Sequence, residues 1–176
     1  MLFTQTKLNG AYVIDLEKKV DDRGFFARAW CQKEFQAHNL VPQFVQCNTS
    51  WNKNKGTLRG MHRQVAPHEE SKLIRCTRGA IYDVMLDLRR DSPTFGKWQA
   101  FELTEVNHRS LFVPGGFAVG YQTLEDNSEV VYLVSDFYAP GCEEGIRYND
   151  PAFGVEWPAA VTVISEKDKS WPDYPL

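Results

Sequence analysis

Short β-prone runs, each cut off by turn chemistry, recur along the whole of this 176-residue chain, and that texture limits it to an architecture built mainly from strands. Residues 11–15, 24–30, 43–48, 57–63, 72–76, 80–88, 98–103, 110–113, 117–123 and 129–135 read as strands. Asp21-Asp22-Arg23-Gly24, Asn52-Lys53-Asn54-Lys55-Gly56, Arg78-Gly79, Asp91-Ser92-Pro93, Pro114-Gly115-Gly116 and Glu125-Asp126-Asn127 supply the breaks. A helix is expected at residues 32–38 and a short one near the C-terminus. Many short strands with frequent turns predict an all-β sandwich or barrel. With no repeat, low-complexity tract or linker, residues 1–176 are expected to form one domain.

Composition narrows the partners. Twenty Lys and Arg against 23 Asp and Glu leave a net charge of −3, which gives no global field for nucleic acid or an anionic membrane. A phosphorylated ligand therefore needs a local cluster of cations. At 43% hydrophobic and 24% charged residues, the chain has enough apolar surface to fold. No apolar run approaches the roughly 20 residues of a membrane span, and the first ten residues do not read as a signal peptide. Cys31, Cys47, Cys76 and Cys142 lie far apart; reduced thiols in a cytoplasmic protein are expected.

Three local patterns bear on chemistry. In residues 80–88 the period of two puts Tyr82, Val84, Leu86 and Leu88 on one face, and Ile81, Asp83, Met85 and Asp87 on the other. The second face suits the lining of a polar cavity or a solvated exterior. Gly60-Met61-His62-Arg63-Gln64 resembles the start of a metal-binding cupin motif, but Gln64 and Val119 stand where further histidines are needed. One suitable histidine does not hold a transition metal, so no metal is expected. His62 is then a structural residue or an acid/base. Arg59 and Lys72 are cations inside strands and need partners, which anionic ligands supply. Arg59 and His62 fall on opposite faces of a regular strand unless Gly60 marks a bulge.

An ordered set of motifs runs through nearly the whole chain: Asp22-Arg23-Gly24-Phe25-Phe26, Gln46-x-Asn48-x-Ser50, Gly56-Thr57-Leu58-Arg59-Gly60-Met61-His62 and Lys72-Leu73. Then come Gly79-Ala80-Ile81-Tyr82-Asp83-Val84, Asp87-Leu88-Arg89, Ser92-Pro93-Thr94-Phe95-Gly96, Pro114-x-Gly116-Phe117-Ala118, Tyr132, Asn149-Asp150-Pro151, Trp157-Pro158 and Ile164-Ser165-Glu166-Lys167-Asp168. The set resembles the dTDP-4-dehydrorhamnose 3,5-epimerase family. The resemblance implies a cupin-type jelly roll, a homodimer with strand exchange, a nucleotide-sugar substrate of the dTDP-4-keto-6-deoxyglucose type, and no metal or organic cofactor. It makes His62 the base that removes a proton beside the C4 ketone, Asp168 its partner, Tyr132 the acid on the opposite face and Lys72 the group that stabilises the enolate oxygen. Arg59 is implied at the diphosphate, with Gln46, Asn48, Glu143 and Lys167 on the ligand. Arg23 and Phe26 reach the nucleotide in the other subunit's site, and Tyr138 forms an aromatic wall for the nucleobase.

These residue types answer a chemical need. A C–H beside a ketone becomes acidic only if the enolate is stabilised by a cation or donor at its oxygen, and inversion needs a base and an acid on opposite faces. Three positions depart from the family's pattern: Val119 stands where it has histidine, Arg28 where it has glutamate, and Arg63 where it has tyrosine. The leading expectation is epimerisation at both C3 and C5. The alternatives are an epimerase of a single centre or of another nucleotide sugar, and a non-catalytic nucleotide-sugar-binding protein.

Overall fold

The computed structural model describes residues 1–175. In chain order the elements are β1 (Leu2–Gln5), β2 (Tyr12–Asp15), β3 (Lys19–Asp21), β4 (Gly24–Phe26), α1 (Gln32–Ala37), β5 (Gln46–Asn52), β6 (Leu58–Gln64) and β7 (Lys72–Arg78). There follow β8 (Ala80–Asp87), β9 (Trp98–Thr104), β10 (Ser110–Val113), β11 (Phe117–Thr123), β12 (Ser128–Val134), β13 (Glu143–Gly145) and α2 (Glu166–Lys169). Six strands form one sheet in the order β1-β2-β10-β7-β12-β5, and five form a second in the order β13-β6-β11-β8-β9. Every strand pairing in both is antiparallel. The two sheets face each other as the expected cupin-type jelly-roll sandwich.

Burial follows the strand period. Ile74, Cys76, Leu111, Val113 and Val130 of the larger sheet meet Ile81, Met85, Leu103, Phe117 and Tyr121 of the smaller one. The outer face of the smaller sheet carries Met61, Val84, Leu86, Leu88 and Ala118 beneath Ile146, Phe153 and the C-terminal segment. The outer face of the larger sheet is partly covered by Phe35 of α1, which packs with Ile14, Leu73 and Phe112. Each such buried side chain contributes about 2 kcal/mol. Both faces of β8 are therefore interior, and neither is solvated. Asp87 tolerates this position because Arg89, Ser92 and Thr94 all donate to its carboxylate. Asp83 lies between the sheets.

Several expected boundaries move. The strand expected at 24–30 stops at Phe26, because β4 pairs only with β3 and no third strand extends the ladder. β5 begins at Gln46 and runs on to Asn52, following its partner β12 from Val134 to Ser128. The helix at Gln32–Ala37 and the short C-terminal helix lie close to where they were expected. All four cysteines are unpaired thiols, and among the described residues no helix is long and apolar enough to cross a membrane.

The feature that most shapes the interior is a register shift between β6 and β11. Val119 pairs with His62 and Tyr121 with Arg59, so one residue of β11 spans two of β6. This bulge resolves the parity conflict between Arg59 and His62, and both line the same cavity. Gly60 sits at the shift with φ of +107°, and a Cβ there would stand 2.6 Å from Gly120 Cα and 2.7 Å from the Val119 carbonyl oxygen. Gly60→Ala should therefore destabilise the protein by about 3 kcal/mol and lower Tm by roughly 6–12 °C. A melting curve matching that of the unsubstituted chain would show that the backbone crossing relaxes freely.

Candidate active site

Between the two sheets lies a cavity of about 510 Å3. A smaller groove of about 130 Å3 shares His62, Lys72 and Tyr132 with it, so the two form one cleft. Alternation along the strands delivers the lining: Gln46, Asn48 and Ser50 from β5, Lys72 and Ile74 from β7, and Val130 and Tyr132 from β12. The opposite wall comes from β6 and β11 with Arg59, His62, Val119 and Tyr121, and one end is closed by Ser165, Lys167 and Asp168.

The end wall is built by a return of the chain. Thr57 bridges Val163 in parallel, and Leu58 N–H donates to the Val163 carbonyl at 2.8 Å, which fixes the C-terminal segment beside β6. Ser165 caps α2 by accepting the Asp168 N–H at 3.0 Å. Asp168, only 5% exposed, then receives the Gly60 N–H at 3.3 Å and lies 2.6 Å from His62 Nε2. Burial pushes its carboxyl pKa up, but the hydrogen bond and charge of His62, with the Gly60 and Ser165 contacts, hold it below the usual aspartate value. An ionised carboxylate only accepts, so His62 Nε2 is the donor in this contact, and in the neutral form of the ring Nδ1 is the nitrogen with the lone pair.

Across the cleft, burial is the main cause that raises the Tyr132 phenol above its ordinary pKa, with Tyr121 and Glu70 adding to it against Arg59. The phenol therefore holds its proton at neutral pH. Lys72 Nζ is paired with Glu70 Oε1 at 2.8 Å. Arg59 donates through Nε to Asn52 Oδ1 at 2.7 Å, and among the described residues its two terminal nitrogens make no hydrogen bond. They form a free fork suited to a diphosphate. Asn52 and Ser50 both contact the Tyr121 hydroxyl, completing a polar patch behind Arg59.

Of the other expected residues, Gln46, Asn48, Tyr138 and Glu143 line the groove, and Lys167 bonds Glu143 across its mouth. Gln46 accepts the Tyr138 backbone N–H at 3.0 Å. Arg23 and Phe26 are not brought here: they lie on the exposed β3–β4 hairpin, where Phe26 is 71% exposed and Arg23 pairs with Asp21. Of the three departures, Arg28 lies apart from the cleft, whereas Arg63 lines the groove. Arg28 pairs with Glu34 at 3.1 Å. Arg63 is a structural tie, donating to Glu144 at 2.5 Å and to the carbonyls of Leu88 and Gly116. Val119, in contrast, stands directly opposite His62 in the ladder.

Sequence reasoning missed Glu70 and the ring of contacts around Asn52. The period-two continuation of Gln46 and Asn48 into Ser50 and Asn52 was the available signal for the latter. It also left open where Asp83 points. Both carboxylate oxygens of Asp83 are buried with no hydrogen-bond partner. Burial pushes its pKa up to about 8, partly offset by the Lys72 charge, so a neutral acid lies between the sheets near Lys72.

An imidazole whose ring is fixed by a buried carboxylate, across a cleft from a protonated phenol and an ammonium, is an arrangement able to move protons, and it sits in a cupin-type sandwich. The sequence pattern of the dTDP-4-dehydrorhamnose 3,5-epimerase family matches residues 5–175, and the chain belongs to that family. A relative of that name from Sinorhizobium fredii is 40% identical over 98% of this chain and 89% of its own length. A dTDP-4-dehydrorhamnose 3,5-epimerase structure from Elizabethkingia anophelis superimposes with a TM-score of 0.96 at 34% identity, covering 99% of this chain and 96% of the other. One from Bacillus anthracis, with TDP and PPi bound, gives 0.94 at 38% identity, covering 98% of this chain and 99% of the other.

Asp83 has a measurable consequence. Its folded pKa of about 8 lies above that of an unfolded aspartate, about 3.9, so between those values the folded state keeps a proton that the unfolded state releases. Stability is then lost as pH rises through that window, by up to about 1.4 kcal/mol per pH unit. Asp83→Asn removes the titration, so urea unfolding should show the variant gaining on the parent chain steadily from about pH 4 to pH 8. A stability difference independent of pH would mean that Asp83 is already ionised in the folded protein.

Proposed function

We propose that this chain converts dTDP-4-keto-6-deoxyglucose to dTDP-4-keto-L-rhamnose, inverting C3 and C5 by proton transfer through an enolate. The observation that carries this reading is the placement of His62 and Tyr132 on facing sheets of one cleft, since inversion needs a base on one face of the sugar and an acid on the other. His62 Nδ1 takes the proton from the carbon beside the C4 ketone. Asp168, hydrogen-bonded to Nε2, stabilises the imidazolium that results. Negative charge then develops on O4, where Lys72 meets it, and Tyr132 returns a proton to the opposite face. Base and acid each contribute on the order of a hundred- to ten-thousandfold in rate. C3 and C5 both flank C4, so one pair serves both centres as the ring adjusts. All of these groups come from the chain's own side chains, and the reading includes no metal or organic cofactor.

The free fork of Arg59 takes the diphosphate, with Gln46, Asn48, Glu143 and Lys167 along the groove and Tyr138 beside the base. The exposed apolar surface of the β3–β4 hairpin supports a homodimer in which Arg23 and Phe26 enter the partner's cleft, in the cytoplasm where unpaired thiols are the ordinary state. Arg23→Ala should then weaken dTDP binding about tenfold in calorimetry, by roughly the strength of one charge-assisted hydrogen bond. Unchanged affinity would detach the hairpin from the site.

Incubation with dTDP-4-keto-6-deoxyglucose in D2O, followed by NMR, tests the reaction itself. Deuterium should enter at both C3 and C5. In His62→Ala exchange should fall at least a hundredfold while dTDP affinity stays within a factor of about two. Label at C3 alone would replace the reading with a single-centre epimerase. Undiminished exchange in His62→Ala would remove His62 as the base.

A further inference from the structure

We propose that Glu70, held by Gln64, is a positioning residue that aims the Lys72 ammonium into the cleft and couples that aim to the loops at the cleft's mouth. The inference rests on the reading of Lys72 given above. Gln64 is the last residue of β6 and is 3% exposed. Its amide nitrogen lies 3.2 Å from the His68 carbonyl, 3.3 Å from Glu70 Oε2 and 3.2 Å from the Phe137 carbonyl, three acceptors that share its two N–H bonds. Its amide oxygen accepts the Ala139 N–H at 2.7 Å. One buried amide thus joins the loop that precedes β7 to the loop that carries Tyr138.

Glu70 completes the relay. Its side chain is only 9% exposed, and its two oxygens are divided: Oε2 faces Gln64, while Oε1 is 2.8 Å from Lys72 Nζ. An ammonium has three donors. One donated to Glu70 leaves two for the cavity, and the tether removes rotamer freedom that a lysine otherwise keeps. A buried carboxylate lacking Lys72 would be left without its cation, so the pair is mutually dependent. Glu70 lies on the groove wall behind Lys72 and takes no part in moving a proton. Its effect passes through the ammonium, because a misplacement of about 1 Å at a group that meets developing charge costs up to roughly a hundredfold in rate.

The test measures solvent deuterium exchange at dTDP-4-keto-6-deoxyglucose, together with dTDP affinity and Tm, in Glu70→Gln, Glu70→Asp, Lys72→Ala and the Lys72→Ala/Glu70→Gln double variant. Glu70→Gln should lower kcat between about ten- and a hundredfold with dTDP affinity unchanged. Glu70→Asp, which keeps the charge at shorter reach, should recover part of that loss. In the Lys72→Ala background Glu70→Gln should add nothing, as required of a residue that acts through Lys72. If Glu70→Gln folds poorly, the same comparison is made with Glu70→Asp. A Glu70→Gln variant at full kcat, or one whose loss persists undiminished without Lys72, overturns the relay while leaving the Lys72 assignment standing. Full exchange in Lys72→Ala itself would overturn both.

Discussion

A carboxylate taken out of water costs several kcal/mol unless donors replace its hydration, and much of the cleft's architecture follows from meeting that requirement at Asp168. Its two donors come from more than 100 positions away, a backbone N–H at Gly60 and the imidazole of His62, while Ser165 accepts the backbone N–H of Asp168 and so fixes where the carboxylate stands. For Gly60 N–H and the His62 ring to reach one carboxylate, β6 must bulge. The bulge in turn requires β6 and β11 to cross closely at Gly60 and Gly120, where neither position has room for a Cβ. The C-terminal segment must also return alongside Thr57 and Leu58. Bulge, glycine pair and returning segment are thus parts of one solution to burying a single charge.

The same constraint distributes charge through the cavity. Asp168 and Glu70 are each spent on a partner, and Asp83 is neutral near pH 7, so none of the three leaves free negative charge facing the cleft. Arg59 keeps an open fork. A chain with net charge −3 therefore offers an anionic ligand a locally favourable surface, as its lack of a global basic field required. Because Asp83 sits near Lys72 uncharged, it does not compete for the ammonium, which remains available to an oxygen in the cleft.

How much of this was legible in the sequence depends on the range of the interaction. β8, β11 and β12 announce themselves through alternation and turn residues, and the misfit between Arg59 and His62 pointed to the bulge at Gly60 before any coordinates. β1, β3 and β13 did not, because three or four residues acquire strand form only from a neighbour far away in sequence; β13, with two glutamates and a glycine, pairs β6 from 81 residues on. Among candidate site residues, the bond from His62 to Asp168 spans 106 positions, and no local pattern encodes it. It was reached through family resemblance. Glu70 was invisible for a related reason: its role lies in the geometry of a loop against the end of β6, where periodicity has nothing to say.

That division bears on the three departures from the family's pattern. Arg28 is satisfied by Glu34 outside the cleft, and Arg63, on the groove wall, by Glu144 and two backbone carbonyls, so each is tied by partners of its own. Val119 is different in kind. It faces His62 across the ladder and presents methyl groups to the cavity. An apolar side chain there contributes neither a proton nor a charge, and the contacts that hold His62 and Lys72, from Asp168 and Glu70, do not involve it. Its influence falls on the shape and polarity of the wall beside His62. Within one cleft, polar groups are therefore held by a network anchored in buried charge, while one wall position can change without disturbing that network.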